Sequence, residues 1–191
     1  MGASRREAVL RVFGLRAVFA HCLSWIHAAK FANALSKKDG LEACYTINGD
    51  SVSWPRGPSC TGYRLPTEAE WEVAARGGRD TLYAGGAELD AVGWTGENSN
   101  YTTHPVGQKA ANGYGLYDMT GNVWEWTWDW YGAYSSGTQV DPHGASSGSV
   151  RVLRGGGWSN PAAPARVAYR FRYDQAFRSS DLGLRLARTI S

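Results

Sequence analysis

The chain has 191 residues, of which 43% are hydrophobic and 13% aromatic, and it contains 24 glycines and nine tryptophans. This length suits one domain, and the composition excludes a disordered chain and favours an irregular fold with many loops held by aromatic side chains. The formal net charge is only +3, and the arginines between Arg151 and Arg188 are dispersed rather than clustered, so we expect no nucleic-acid-binding surface.

Residues 1–23 form an atypical N-terminal segment, which we separate from a domain at residues 24–191. Arginines interrupt every apolar run of this segment, and Arg11 and Arg16 break the continuous apolar core that a secretory signal needs. An amphipathic helix, a poor targeting segment and sequence from outside the ancestral domain all stay open as interpretations. No apolar stretch in the chain reaches the length of a transmembrane helix, so we expect a soluble domain in an unassigned compartment.

Two helices are predicted in the first half of the domain. Apolar residues recur at three-residue spacing from residue 24 to residue 35, where Ser24 can serve as the N-cap. The second helix is predicted at Glu68–Arg76, because Thr67 and Glu70 form a capping box and two glycines follow the last turn. The residues of this helix that should face the core are Trp71, Ala74 and Ala75.

A hairpin is predicted between these helices, with its turn at Asn48-Gly49. The three cysteines, Cys22, Cys44 and Cys60, show neither CxxC spacing nor an even count. The sequence therefore gives little support for a zinc site or a disulfide framework, and we expect reduced, structural cysteines.

Tryptophan alternates with other residues in the segment 122–131, which predicts a strand with Trp124, Trp126, Trp128 and Trp130 on one side as a core wall. Its other side carries Glu125, Thr127 and Asp129. A loop follows at residues 141–150, and short strands are predicted at Arg151–Arg154 and at residues 184–187.

Four ordered blocks resemble the formylglycine-generating enzyme or sulfatase-modifying-factor family. They are GYRLPTEAEWEVAARGG at 62–78, HPVGQKAANGYGLYDMTGNVWEWTWDWY at 104–131, RVLRGGGW at 151–158 and LGLRLAR at 182–188. The resemblance implies an α+β, C-type-lectin-like fold with little regular secondary structure, a small antiparallel sheet and two main helices. Members normally begin with a further strand and a GE.P.H.V motif, so we expect this copy to be truncated on its N-terminal side.

The resemblance also implies a calcium ion in the segment DMTGNVWEW. Its ligands would be the side chains of Asp118 and Glu125 and the carbonyl groups of Gly121 and Val123, since a hard cation prefers several oxygens. The alternative is a turn in which Asp118 caps backbone amides and Glu125 pairs with an arginine. A second family calcium site would fall at residues 94–104, where the sequence lacks the acidic run, and we do not predict it.

Catalytic members hold copper on two cysteines shortly after the third block, because copper(I) prefers soft thiolates. The corresponding segment here, residues 155–170, has no cysteine. Asn160 stands where the first thiol is expected, Ala162 or Ala165 stands near the second, and Gly157 replaces the usual serine. We therefore expect no copper and no oxidation of a substrate cysteine.

What remains is a candidate binding face that is rich in aromatic and arginine side chains, which dominate binding hot spots. We predict that it contacts a protein or small-molecule ligand, and we expect about half of its aromatics to be core residues instead. Its residues are Trp158, Ser159, Asn160, Tyr169, Phe171, Arg172, Tyr173, Asp174, Gln175, Phe177 and Arg178.

This C-terminal arrangement also resembles the variable proteins of diversity-generating retroelements, in which a mutagenised patch lies just before a GFRLAR-like end. The leading hypothesis is thus a non-catalytic, calcium-stabilised binding domain that a retroelement diversifies. The alternative is an oxidase that converts a substrate cysteine to formylglycine, and a nonfunctional gene fragment is a third.

Overall fold

A computed structural model describes residues 22–190, so the predicted N-terminal segment lies, up to residue 21, outside the described residues. No helix within that range is long and apolar enough to cross a membrane. The helices are α1 (Trp25–Lys38), α2 (Glu68–Arg76) and the short α3 (Leu89–Val92). The strands are β1 (Thr46–Asn48), β2 (Ser51–Ser53), β3 (Tyr63–Arg64), β4 (Trp124–Trp130), β5 (Arg151–Arg154), β6 (Phe171–Tyr173), β7 (Leu182–Leu184) and β8 (Ala187–Arg188).

Both main helices begin as the sequence predicts. The Ser24 side chain accepts a hydrogen bond from the amide of His27, and α1 runs one turn beyond residue 35 with two lysines in its last turn, where the helix dipole favours cations. Thr67 and Glu70 form the full capping box of α2, and Gly77 ends that helix in the left-handed conformation at φ 56°. The predicted core residues of α2 are buried.

The hairpin β1–β2 is confirmed, with Asn48 paired to Ser51 across the turn. The prediction of three reduced cysteines is wrong, because Cys44 and Cys60 form a disulfide across the base of this hairpin, with their Cα atoms 5.7 Å apart. Cys22 alone is free, and it is exposed. An odd count does not exclude one pair, and the proximity of these two cysteines comes from the hairpin and not from their spacing in the sequence.

The central sheet has the strand order β6-β5-β4-β7, so β6 and β7 are its edges. Pairing is antiparallel except between β4 and β7, which run parallel. The predicted strand at residues 184–187 is misplaced, because the chain pairs at β7 and again at β8 while Arg185 between them turns inward. That side chain is 2% exposed and bonds Glu125.

Both faces of β4 are buried, which places this strand at the centre of the molecule. Trp124 and Trp126 belong to the main core cluster, and the half-buried Trp128 packs against it. Trp130 is half-buried as well, so the predicted tryptophan wall is complete only at its first two positions. The opposite face, which carries Glu125, is covered by Trp71 of α2, whose indole donates to that carboxylate. Fully buried carboxylates on β4 therefore need partners from other elements.

Candidate functional site

All eleven residues predicted for the C-terminal binding face reach solvent. Arg172, Asp174, Phe177 and Arg178 are exposed, and the other seven are half-buried. The expectation that about half of its aromatics are core is therefore only partly met, because Tyr169, Phe171 and Tyr173 pack against the main core while keeping part of their surface outside.

A continuous chain of rings runs through this face from the core to the surface. Trp124 stacks on Phe171 with ring centroids 5.3 Å apart, and Phe171 meets Tyr173 edge to face at 5.2 Å. Tyr173 then stacks on Phe177 at 4.1 Å, and Phe177 is 39% exposed. We call the rings of Trp124, Phe171, Tyr173 and Phe177 the aromatic ladder. Because Trp124 is only 3% exposed, this ladder is buried at one end and open to solvent at the other. Such rings hold their positions at low entropic cost.

Polar groups flank the aromatic ladder. The Arg172 guanidinium lies 4.5 Å from the ring centre of Tyr131, and the Arg178 guanidinium contacts the His27 ring of α1 at 3.0 Å. Partial burial and the positive charge of Arg178 lower the pKa of His27, which keeps that imidazole neutral near pH 7. Asp174 accepts a hydrogen bond from the amide of Ala176 and so shapes the turn that follows β6.

Asn160, at the position where the resemblance places the first thiol of family enzymes, accepts hydrogen bonds on both its side-chain and its backbone oxygen. Its side-chain oxygen accepts hydrogen bonds from the Trp124 indole at 2.7 Å and from the Gly157 amide at 3.1 Å. Its backbone carbonyl accepts from the amide of Gly96 at 2.7 Å. Asn160 therefore joins the end of β5 to β4, and its amide oxygen is committed to holding the fold.

The calcium ligand set divides into one residue that fits a cation and one that does not. Asp118 is 6% exposed; its Oδ2 accepts from Gly107, whereas its Oδ1 has no hydrogen-bond partner among the described residues. Burial raises the pKa of Asp118 despite that hydrogen bond and the nearby Arg185. Glu125 instead receives the Arg185 guanidinium on both oxygens, at 2.8 and 3.0 Å, and the Trp71 indole at 2.6 Å.

A guanidinium thus supplies the positive charge that calcium would bring to Glu125, which is the arginine pair weighed as the alternative. Gly121 and Val123 are buried in the same turn, with Gly121 at φ 70°. No cluster of three acidic, histidine or cysteine side chains with metal-binding geometry occurs within residues 22–190. Calcium binding stays a prediction, and the contacts of Glu125 support the arginine pair.

Sequence reasoning missed a buried charge network beneath α2. Glu68, which is 4% exposed, accepts hydrogen bonds from Arg154 at 2.6 Å and from Arg170 at 2.6 and 2.7 Å. The second nitrogen of Arg154 bonds Glu72 at 2.7 Å, and Arg76 bonds the same carboxylate. The available local signals were the four-residue spacings of Glu68, Glu72 and Arg76, which put them on one helix face. Arg154 and Arg170 lie 82 to 102 residues from these glutamates and leave no local pattern.

Arg151 is a second buried cation, 3% exposed, and it has no carboxylate within ion-pair distance in the described part of the chain. Its guanidinium lies 3.6 Å from the ring centre of Trp25 and 3.3 Å from that of Trp130, and it donates to the carbonyl of Trp128. Burial lowers the pKa of Arg151 to about 9. Tryptophan faces therefore replace a counter-ion at this site.

Comparison with known proteins gives a consistent picture. The family model described as "Sulfatase-modifying factor enzyme 1-like domain" matches residues 18–190. Chaperone protein LppX of Paenibacillus barcinonensis is 33% identical over 200 residues, covering 87% of this chain and 68% of that protein. The formylglycine-generating enzyme of Streptomyces coelicolor is 43% identical over 137 residues, but the match spans only 63% of this chain and 42% of the enzyme.

Among solved structures, Treponema denticola variable protein 1 superposes with a TM-score of 0.83 at 41% identity, covering 90% of this chain and 71% of that one. CarF superposes with a TM-score of 0.73 at 30% identity. These likenesses agree with the α+β fold of two main helices and small sheets described above.

Proposed function

Because the chain belongs to the sulfatase-modifying factor enzyme 1-like domain family, we propose that it uses this scaffold for binding: a non-catalytic domain that holds a protein or small-molecule ligand on its C-terminal face. The observation that carries the proposal is the aromatic ladder, whose buried end at Trp124 is fixed in the core and whose outer end at Phe177 is open to solvent. Anchored aromatics beside arginines are typical of binding hot spots.

The state of Asn160 supports a non-catalytic role. The copper chemistry of the family's oxidases requires a pair of thiolates near this position, and the amide oxygen found here is bonded to Trp124 and Gly157 instead. Two of the three cysteines of the chain are bonded to each other at the hairpin. In this proposal the domain keeps the family scaffold, and the residue at the catalytic position stabilises the fold through its hydrogen bonds to Trp124 and Gly157.

The likeness to a protein named variable protein 1 supports a further part of the proposal, that the face is diversified by a retroelement. Its four exposed residues, Arg172, Asp174, Phe177 and Arg178, lie on or just after the edge strand β6, where substitutions need not disturb the core. An adenine-rich template repeat and a reverse-transcriptase gene beside the coding gene are the expected genomic signs. A neighbourhood without either would contradict diversification, while leaving ligand binding in place.

The rival function is conversion of a substrate cysteine to formylglycine, which the similarity to the Streptomyces coelicolor enzyme favours at the family level. The two functions separate when the protein is incubated with copper, oxygen and a CxPxR peptide. We expect mass spectrometry to find no aldehyde product. Aldehyde formation that is lost on changing one of the three cysteines would establish the oxidase and reject the binding-only role.

We propose calcium as a stabiliser at the predicted ligands Asp118, Gly121, Val123 and Glu125, and the proposal is supported by the buried Oδ1 of Asp118, which has no hydrogen-bond partner among the described residues. Thermal unfolding with 2 mM calcium and with excess chelator tests it. A higher melting temperature with calcium that Asp118→Asn abolishes would support binding. Equal melting temperatures with calcium and with chelator would contradict calcium binding and favour the pairing of Glu125 with Arg185.

A further inference from the structure

A cavity of about 590 Å³ lies between helix α2 and the segment 131–149 that follows β4. It is separate from the C-terminal face: its walls include Val73 of α2, Trp130 of β4, and Tyr134 and His143 of the following segment. Asp129 lines it as well. A cavity of this size, with mixed apolar and polar walls, suits a small organic molecule.

Asp129 is the carboxylate in this cavity that lacks a cation. Its side chain accepts a hydrogen bond from the amide of Glu68 at 2.7 Å, and no arginine or lysine forms an ion pair with it in the described part of the chain. The neighbouring Glu68 and Glu72 are already paired with arginines. Arg151, which is nearby, is held by indole rings and by the carbonyl of Trp128.

The surroundings of Asp129 compensate its charge only in part, because Arg151 interacts with it electrostatically but without direct contact. The residue is 3% exposed, and burial raises the pKa of its carboxyl to about 7. Gly144 lies directly over it: a Cβ atom added there would come within 2.8 Å of Asp129 Oδ1. Gly144 of the segment 131–149 thus packs directly against the acid.

The other wall groups define the partner further. Trp130, Tyr134 and His143 offer aromatic surface; Arg151 already lies over the Trp130 ring and Arg170 over the Tyr134 ring, so the part of these rings that faces the cavity can pack against the body of a ligand. Glu68, Glu72, Arg76 and Arg170 also line the cavity, but each of them is already in an ion pair, so Asp129 is the lining carboxylate left for one ligand cation. We propose that this cavity binds a small molecule with a single primary ammonium group, which pairs with Asp129 while its body lies against Trp130 and Tyr134.

Benzylamine is the probe, titrated calorimetrically into the full chain at pH 8, with benzyl alcohol as the uncharged molecule of the same shape. We expect saturable binding of benzylamine to one site, at least about tenfold tighter than that of benzyl alcohol, since a charge-assisted hydrogen bond is worth roughly that factor. The Asp129→Asn variant should bind benzylamine about tenfold more weakly than the unchanged protein does. Asp50→Asn, which removes an exposed carboxylate at the hairpin turn, should leave the affinity unchanged.

A second variant tests the cavity without changing Asp129, so the result does not depend on whether Asp129→Asn folds correctly. Tyr134 is 66% exposed, so Tyr134→Ala should fold, and we expect it to weaken benzylamine binding several-fold. The proposal is overturned if benzylamine does not bind at about 10 mM, or if it binds Asp129→Asn as tightly as the unchanged protein. Equal binding of benzyl alcohol would also overturn it, because the ammonium would then contribute nothing.

Discussion

Folding removes the Asp129 carboxylate from water without placing a cation in direct contact with it, which makes the stability of the protein depend on pH. Its pKa rises from 3.8 to about 7 on folding, mainly through burial. The folded state therefore binds a proton that the unfolded state releases, so this contribution to stability is complete below about pH 4 and is lost as the pH rises to about 7. The free energy involved is at most about 4 kcal/mol, at about 1.4 kcal/mol per pKa unit.

We expect Asp129→Asn to be more stable than the unchanged protein at pH 8, by about 2–4 kcal/mol. Asparagine stays neutral at every pH, and its side-chain oxygen can still accept the hydrogen bond from Glu68. Urea unfolding at pH 4, 6 and 8 measures the difference, which should shrink towards pH 4. A difference that does not change with pH would contradict the raised pKa.

Asn160 shows how one side chain can occupy a family's catalytic position and serve the fold. Asn160→Ala would leave the Trp124 indole and the Gly157 amide without their acceptor, at a cost of about 1–3 kcal/mol. Chemical denaturation measures this loss. Ser159→Ala is the matched control, because the Ser159 side chain makes no hydrogen bond among the described residues, and it should change stability little. Equal effects of the two changes on stability would show that the side-chain hydrogen bonds of Asn160 do not stabilise the fold.

At the scale of elements, the hairpin β1–β2 depends on its disulfide. The bond closes a sequence separation of 16 residues, and restricting an unfolded loop of that size stabilises a protein by about 3 kcal/mol. We expect dithiothreitol, or the double change Cys44→Ala and Cys60→Ala, to lower stability by about that amount. Cys22→Ala should have no effect, since Cys22 is free and exposed. Three free thiols in the unreduced protein would contradict the bond.

Elements with local signals were predictable, and those set by distant partners were not. The bounds of α2 follow from Thr67, Glu70 and Gly77, all within one short segment. The disulfide, by contrast, depends on how the hairpin brings Cys44 to Cys60. The Glu125 carboxylate binds Arg185, which is 60 residues further along the chain. The local turn motif alone therefore could not decide between calcium and arginine as its partner.

For the whole molecule, the fold was more predictable than the function because the four family blocks carry the buried parts of the scaffold. Trp71, Trp126, Arg154 and Arg185 all belong to those blocks and are at most 2% exposed. Most of the C-terminal face lies between the third and fourth blocks, whereas the cavity combines Asp129 and α2 from the blocks with the segment 132–145 outside them. Sequence blocks therefore identify the family, and surface geometry identifies the candidate sites.

The central claim, a fixed scaffold with a separate binding face, is tested most directly by selection from a displayed library. Arg172, Asp174, Phe177 and Arg178 are randomised together, and variants are selected against a purified target protein. A matched library randomises Ala34, Lys37, Lys38 and Ala43, which are exposed and belong to neither the C-terminal face nor the cavity. We expect the face library to yield target-specific binders whose melting temperatures stay within about 5 °C of the parent, corresponding to roughly 1–2 kcal/mol. Loss of folding across the face library, or binders from the matched library alone, would contradict it.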